Sequence, residues 1–149
     1  MGLVGVGSFA RISVIDDDHA VREATKDLLR SLGYEAVTFE SAEAFLNSGA
    51  FAETACILTD VQMPGMDGVA LQAFLLSHGH SLPMIFITAF PDDDVKRKVL
   101  DAGAYGYLVT DPFRGGRQAL DCISAVVIRV RVGPKRATRP FTGVAVEIR

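Results

Sequence analysis

Five short apolar, mostly β-branched runs, each followed by a stretch with helical character, restrict the possible folds more than any other feature of this chain. The runs are Arg11–Ile15, Glu35–Phe39, 56–59, Met84–Thr88 and Gly106–Val109. After the first, Val21, Ala24, Thr25, Leu28, Leu29 and Leu32 fall at i, i+3, i+4, i+7, i+8 and i+11, a helical period that Gly33 stops. A short helix follows Ser41, and another covers about 68–78. A fourth is capped near Asp92 and stopped by Gly103, and a fifth starts near Gly116. Parallel neighbours need crossover connections, and right-handed crossovers carry helices onto both faces of the sheet. The expected fold is α/β: a doubly wound, five-stranded parallel sheet with helices on both faces.

With 149 residues, 49% of them apolar, one domain can bury about two-thirds of its unfolded surface, which excludes a disordered or fibrous chain. No apolar run approaches the roughly 18 residues of a membrane span. The opening M-G-L-V-G-V has neither the basic flank of an export signal nor the Ser or Thr of a myristoylation site, so a cytoplasmic protein is expected. Cys56 and Cys122 form no CxxC pair and read as small buried groups in a reducing compartment. Charge is unevenly spread. Residues 1–127 hold 9 Lys and Arg against 17 Asp and Glu, giving −8, whereas 128–149 hold 6 against 1, giving +5. An acidic body suits nucleic acid poorly, and no direct DNA binding is expected.

In doubly wound sheets, ligands bind beyond the carboxyl ends of the strands. There this chain places Asp16, Asp17 and Asp18 after the first run, Asp60 after the third and Thr88 at the end of the fourth. If the first and third strands are neighbours, Asp16, Asp17 and Asp60 converge, and their mutual repulsion amounts to several kcal/mol at an effective dielectric of about 20. Hard carboxylate oxygens, few in number and on a loop, suit Mg²⁺. Solvated strand-end and capping aspartates are the alternative.

The stretch Leu58-Thr59-Asp60-Val61-Gln62-Met63-Pro64-Gly65-Met66-Asp67-Gly68 is more specific than any single aspartate. With Val14-Ile15-Asp16-Asp17-Asp18, Ile87-Thr88-Ala89 and Ala102-Gly103-Ala104, it resembles the receiver domain of bacterial two-component response regulators, over about 11–127. The run 56–68 and the segment L-P-M-I-F-I-T are most similar to receivers of the nitrogen-fixation regulator subfamily. The resemblance implies a flavodoxin-like sheet of order 2-1-3-4-5. It also implies a signalling phosphoacceptor rather than an enzyme acting on a separate substrate. Asp60 would accept a phosphoryl group from a sensor histidine kinase or phosphotransfer protein. Asp17, Asp60 and the backbone carbonyl of Gln62 would hold Mg²⁺, with Asp16 acting mostly through water. Thr88 would contact the phosphoryl group, and Tyr107, at the family's aromatic switch position, would turn from exposed to buried. Output would pass through the fourth helix and fifth strand, where a homodimer is possible.

The chain departs from the family after the fifth strand, where a lysine followed by proline is expected. The segment G-Y-L-V-T-D-P has one residue too many and no lysine, leaving Thr110 or Asp111 in its place. Losing a cation about 4 Å from the phosphoryl oxygens forfeits about 4 kcal/mol at that dielectric. Arg114 folding back is one replacement. The alternative function is a pseudo-receiver, an interaction module that phosphorylation does not switch. Asp111-Pro112 is a candidate cis bond by analogy. A flavodoxin-like electron carrier shares the architecture, but three aspartates after strand one repel the phosphate it would have to cradle.

The remaining expectations concern the ends and the histidines. Residues 1–10 read as a leader whose G-x-G-x-x-A precedes a strand, the wrong side for a dinucleotide site. In 128–149 no DNA-binding helix-turn-helix fits, so no output domain is expected. This basic tail is open to three readings: a solvated extension, an edge strand or dimer contact through 143–149 (G-V-A-V-E-I-R), or a partner-binding segment. His19 reads as an exposed loop residue, and His78 and His80 as solvated.

Overall fold

The computed structural model describes residues 11–109 and the backbone of 146–147. Its elements alternate as expected: β1 (Arg11–Ile15), α1 (His19–Ser31), β2 (Glu35–Phe39), α2 (Ala42–Ser48), a 3₁₀ turn (Ala50–Ala52), β3 (Cys56–Asp60), α3 (Gly68–Ser77), β4 (Met84–Thr88), α4 (Asp93–Asp101) and β5 (Gly106–Val109). The strands are parallel in the order β2-β1-β3-β4-β5, so β1 and β3 are neighbours, with Ile15 opposite Thr59. The five-stranded parallel sheet is as expected, and among the described residues a two-residue β6 (Val146–Glu147) extends it, pairing parallel to β5 with Val146 opposite Leu108. It lies within the alternating segment 143–149, where an edge strand was one of three readings. The leader, the helix expected near Gly116, Cys122 and the Asp111-Pro112 bond lie outside the described residues.

Strand side chains alternate between two cores, as the period of 2 requires. Ile15, Ile57, Met84, Phe86 and Tyr107 pack with Ala42 and Phe45 of α2, Leu71 and Leu75 of α3 and Val99 of α4. Ile12, Val14, Leu58, Ile85 and Leu108 pack on the other face with Leu29 of α1 and Tyr34. Both faces of β1, β3 and β4 are therefore covered, and the sheet is a rigid platform for the loops at its carboxyl edge. Cys56 sits in the second core, where burial pushes its thiol up to about 12, so it is inert. His78 is exposed and stacked on Phe74 with ring centroids 4.0 Å apart, whereas His80 is half-buried against Phe51.

Candidate functional site

At the end of β1 three consecutive acids divide between two jobs. Asp18 is the N-cap of α1, its carboxylate accepting from the Ala20 and Val21 amides at 2.9 and 3.2 Å. Asp16 is buried, at 7% exposure, and one of its oxygens accepts the Asp18 N–H at 2.8 Å. Its backbone is held on both sides: the amide donates to the Phe39 carbonyl at 3.1 Å and the carbonyl accepts from the Arg22 guanidinium at 2.7 Å. Asp17, between them, is exposed.

Asp60, half-buried, closes β3, and one of its oxygens accepts the Gln62 N–H at 3.2 Å. The chain then needs a tight return into α3, which Gly68 permits. A Cβ there would stand 2.4 Å from the Asp60 carbonyl oxygen, so any larger residue would push the helix away from the strand end. Gln62 lies exposed in this loop.

One carboxylate oxygen each from Asp16, Asp17 and Asp60 lies within 4.8 Å of the others. Burial, reinforced by Asp60, Asp17 and Asp18, raises the Asp16 carboxyl to about 7 despite the opposing Asp18 hydrogen bond. Burial also pushes Asp60 up, with Asp17 and Asp18 adding to it. A cation would offset the penalty such a pocket places on its own ionisation. Three oxygen donors of compact geometry fit a hard divalent ion such as Mg²⁺, which keeps part of its water shell.

At the same edge of the sheet, Thr88 closes β4, the neighbour of β3, and is 2% exposed. Its hydroxyl accepts the Phe90 N–H at 3.0 Å and donates to the Phe90 carbonyl at 3.2 Å. Tyr107 of β5 is 1% exposed, on the buried side of the motion expected of it. Its hydroxyl accepts the Asp92 N–H at 3.2 Å, at the N-cap of α4. Thr110 and Asp111 lie outside the described residues. His19 is exposed at the start of α1, its ring 3.4 Å from the Arg22 guanidinium. A residue that the sequence did not single out, Glu43 of α2, accepts the Met66 N–H at 2.7 Å in the loop after Asp60.

A parallel 2-1-3-4-5 sheet with paired acids beyond β1 and β3, a buried hydroxyl ending β4 and a buried aromatic on β5 defines the class of signalling receivers. The family model for the response regulator receiver domain matches residues 12–114, and the chain belongs to that family. Among similar proteins is the response regulator protein TmoT of Ectopseudomonas mendocina, 36% identical over 125 residues, covering 84% of this chain and 54% of that one. The transcriptional regulatory protein FixJ of Azorhizobium caulinodans is 38% identical over 97 residues, covering 65% and 46%. The crystal structure of a response regulator receiver protein from Burkholderia phymatum matches with a TM-score of 0.66 and 36% identity, covering 83% of this chain and 96% of that one. The chain spans about half the length of the curated relatives it matches. Among the described residues no helix is long and apolar enough to cross a membrane.

Proposed function

We propose that this receiver domain accepts a phosphoryl group on Asp60 from the phosphohistidine of a sensor kinase or phosphotransfer protein, in the cytoplasm and with Mg²⁺. The observation that carries this is the convergence of the Asp16, Asp17 and Asp60 oxygens within 4.8 Å at the carboxyl edge of β1 and β3. Asp17, Asp60 and the Gln62 carbonyl would hold the ion, with Asp16 completing its surroundings. The bound ion supplies charge stabilisation for the phosphoryl oxygens during transfer.

The chain's own residues do the rest. An Asp60 oxygen forms the O–P bond while the P–N bond of the donor breaks, and the imidazole leaves with the electron pair. Asp16 keeps the pocket negative enough to favour a divalent ion over none. Thr88 exchanges its Phe90 partners for the phosphoryl group, and Tyr107 holds the start of α4 through Asp92. Output then runs through α4 and β5, the surface where a homodimer would form.

Intact mass after incubation with Mg²⁺ and a small phosphodonor, beside Asp60→Asn, tests this. The expected result is a single phosphate adduct that requires both Mg²⁺ and Asp60. No adduct despite normal Mg²⁺ binding would overturn it in favour of an interaction module not switched by phosphate. The absent lysine, with Thr110 or Asp111 in its place, would then be the cause to pursue.

A further inference from the structure

The loop between Asp60 and α3 carries Gln62, yet its outer side faces a cleft of about 410 Å³ lined by Gln62, Met63, Pro64 and Asp67, so packing from that side does not hold it. Its two ends are pinned by Val61 N–H to the Ile87 carbonyl and Gly68 N–H to the Val61 carbonyl, both at 3.1 Å. Its middle is tied across 23 residues of sequence, by the Glu43 carboxylate accepting the Met66 N–H at 2.7 Å. Glu43 stands on a firm base, because α2 is capped by Ser41 and its Ala42 and Phe45 are fully buried.

Gly65 fits the same contact. Its φ is +75°, which favours glycine, and a Cβ there would sit 2.7 Å from the same Glu43 oxygen, so a larger residue would displace the carboxylate from the loop backbone. The Met66 N–H, as the leading cause, holds the Glu43 carboxyl below the usual range, so it is ionised at neutral pH and the bond is of the stronger, charge-assisted kind.

We propose that Glu43 is a positioning residue for the acidic pocket: by gripping Met66 it holds the β3–α3 loop in the shape in which Asp60 and the Gln62 carbonyl face one cation. This rests on the reading of the pocket as a Mg²⁺ site. Glu43 itself touches neither the ion nor the reacting atoms, so its effect is on affinity and not on the transfer step.

The test is a Mg²⁺ titration of the full chain, wild type beside Glu43→Ala and Glu43→Gln, with amide hydrogen exchange of Met66 in the absence of metal. The alanine variant is expected to raise the Mg²⁺ dissociation constant about fivefold and to speed Met66 exchange. Glutamine keeps a carbonyl acceptor of the same reach and is expected to stay within about twofold of wild type. At saturating Mg²⁺ all three are expected to phosphorylate at the same rate. Unchanged affinity in Glu43→Ala would overturn the proposal. So would Glu43→Gln binding as weakly as alanine while its Met66 exchange stays as slow as in wild type, since that would make the charge, and not the grip, responsible. A wild type that fails to bind Mg²⁺ overturns the underlying reading and this proposal together. The wild-type titration identifies that case by itself, and Met66 exchange still reports on the grip.

Discussion

Asp16, Asp17 and Asp60 crowd the β1/β3 end of the sheet's carboxyl edge with like charge, whereas at the β4/β5 end the hydroxyls of Thr88 and Tyr107 are engaged with backbone groups of the β4–α4 loop. Both regions hang from buried strands of one sheet, so packing does not separate them. What differs is the sign of their response to a ligand. The first region sets like charges against one another and, on the proposed reading, gains from a cation. The second is satisfied as it stands and must give up bonds of about 1 kcal/mol each before Thr88 or α4 can move. A switch built this way draws its driving force from one end of the sheet and sets its threshold at the other, because a ligand shifts an equilibrium only by its differential affinity for the two states.

The largest effect expected is from neutralising the charged end. Asp16→Asn keeps an oxygen to accept the Asp18 N–H but removes one charge. At pH 8 without metal it should raise stability by about 1–2 kcal/mol, while weakening Mg²⁺ affinity at least about tenfold. Denaturation in chelator and in excess Mg²⁺ should therefore rank the variant and wild type in opposite orders. The same rank in both would mean that the carboxylates are not in conflict.

Next in size is the pH dependence. The folded-state Asp16 value of about 7 lies above the ordinary carboxylate value of 3.8, so the folded protein binds the extra proton between them. Metal-free stability should thus fall as pH rises through the window from about 4 to about 7, with Asp60 acting in the same direction, and level off above it. The carboxylates that act on Asp16 are Asp60, Asp17 and Asp18, all raising it, while the Arg22 guanidinium sits on its backbone carbonyl, so the sign stands. Saturating Mg²⁺ should flatten the slope, and Asp16→Asn should reduce it. Melting temperature against pH, with and without Mg²⁺, checks both.

The contrast between the two ends was only half legible in the sequence. Strand-end aspartates follow from short apolar runs alternating with helical periods, whereas the neighbouring of β1 and β3, on which the pocket depends, came only with the family resemblance. Element ends were less visible. Periodicity places the start of α1 at Val21, the first apolar residue, whereas the Asp18 cap starts the helix at His19. Asp60, polar, is still the last residue of β3 because the strand ladder continues to it, opposite Ile87. Alternation in 143–149 suggested a strand but could not name β5 as its partner, since a period of 2 carries no pairing information. Glu43 carried no signal at all. A glutamate in the first turn of a helix is ordinary, and its partner is a backbone amide whose position depends on the packed tertiary structure.

The satisfied end is probed by Tyr107→Phe, which removes the acceptor of the Asp92 N–H and little else from a fully buried ring. A loss of about 1 kcal/mol in chemical denaturation is expected, with Mg²⁺ affinity unchanged. A weakened Mg²⁺ site would show that the two ends are coupled even without phosphate and act as one network.

The smallest effect tests how far α4 depends on its other attachment. Gln72 of α3 is buried and donates from its amide nitrogen to the Val99 carbonyl at 3.0 Å, near the C-terminal end of α4. That carbonyl also accepts the Ala104 N–H at 2.9 Å, so replacing Gln72 by Met leaves it with a partner and substitutes apolar contact of similar volume for the amide. The cost should be about 0.5 kcal/mol or less, half of that at Tyr107, because the backbone group that loses a bond is not left unsatisfied. Urea denaturation of both variants gives the comparison directly. A Gln72→Met loss exceeding that of Tyr107→Phe would place the main restraint on α4 at its C-terminal end and not at Asp92.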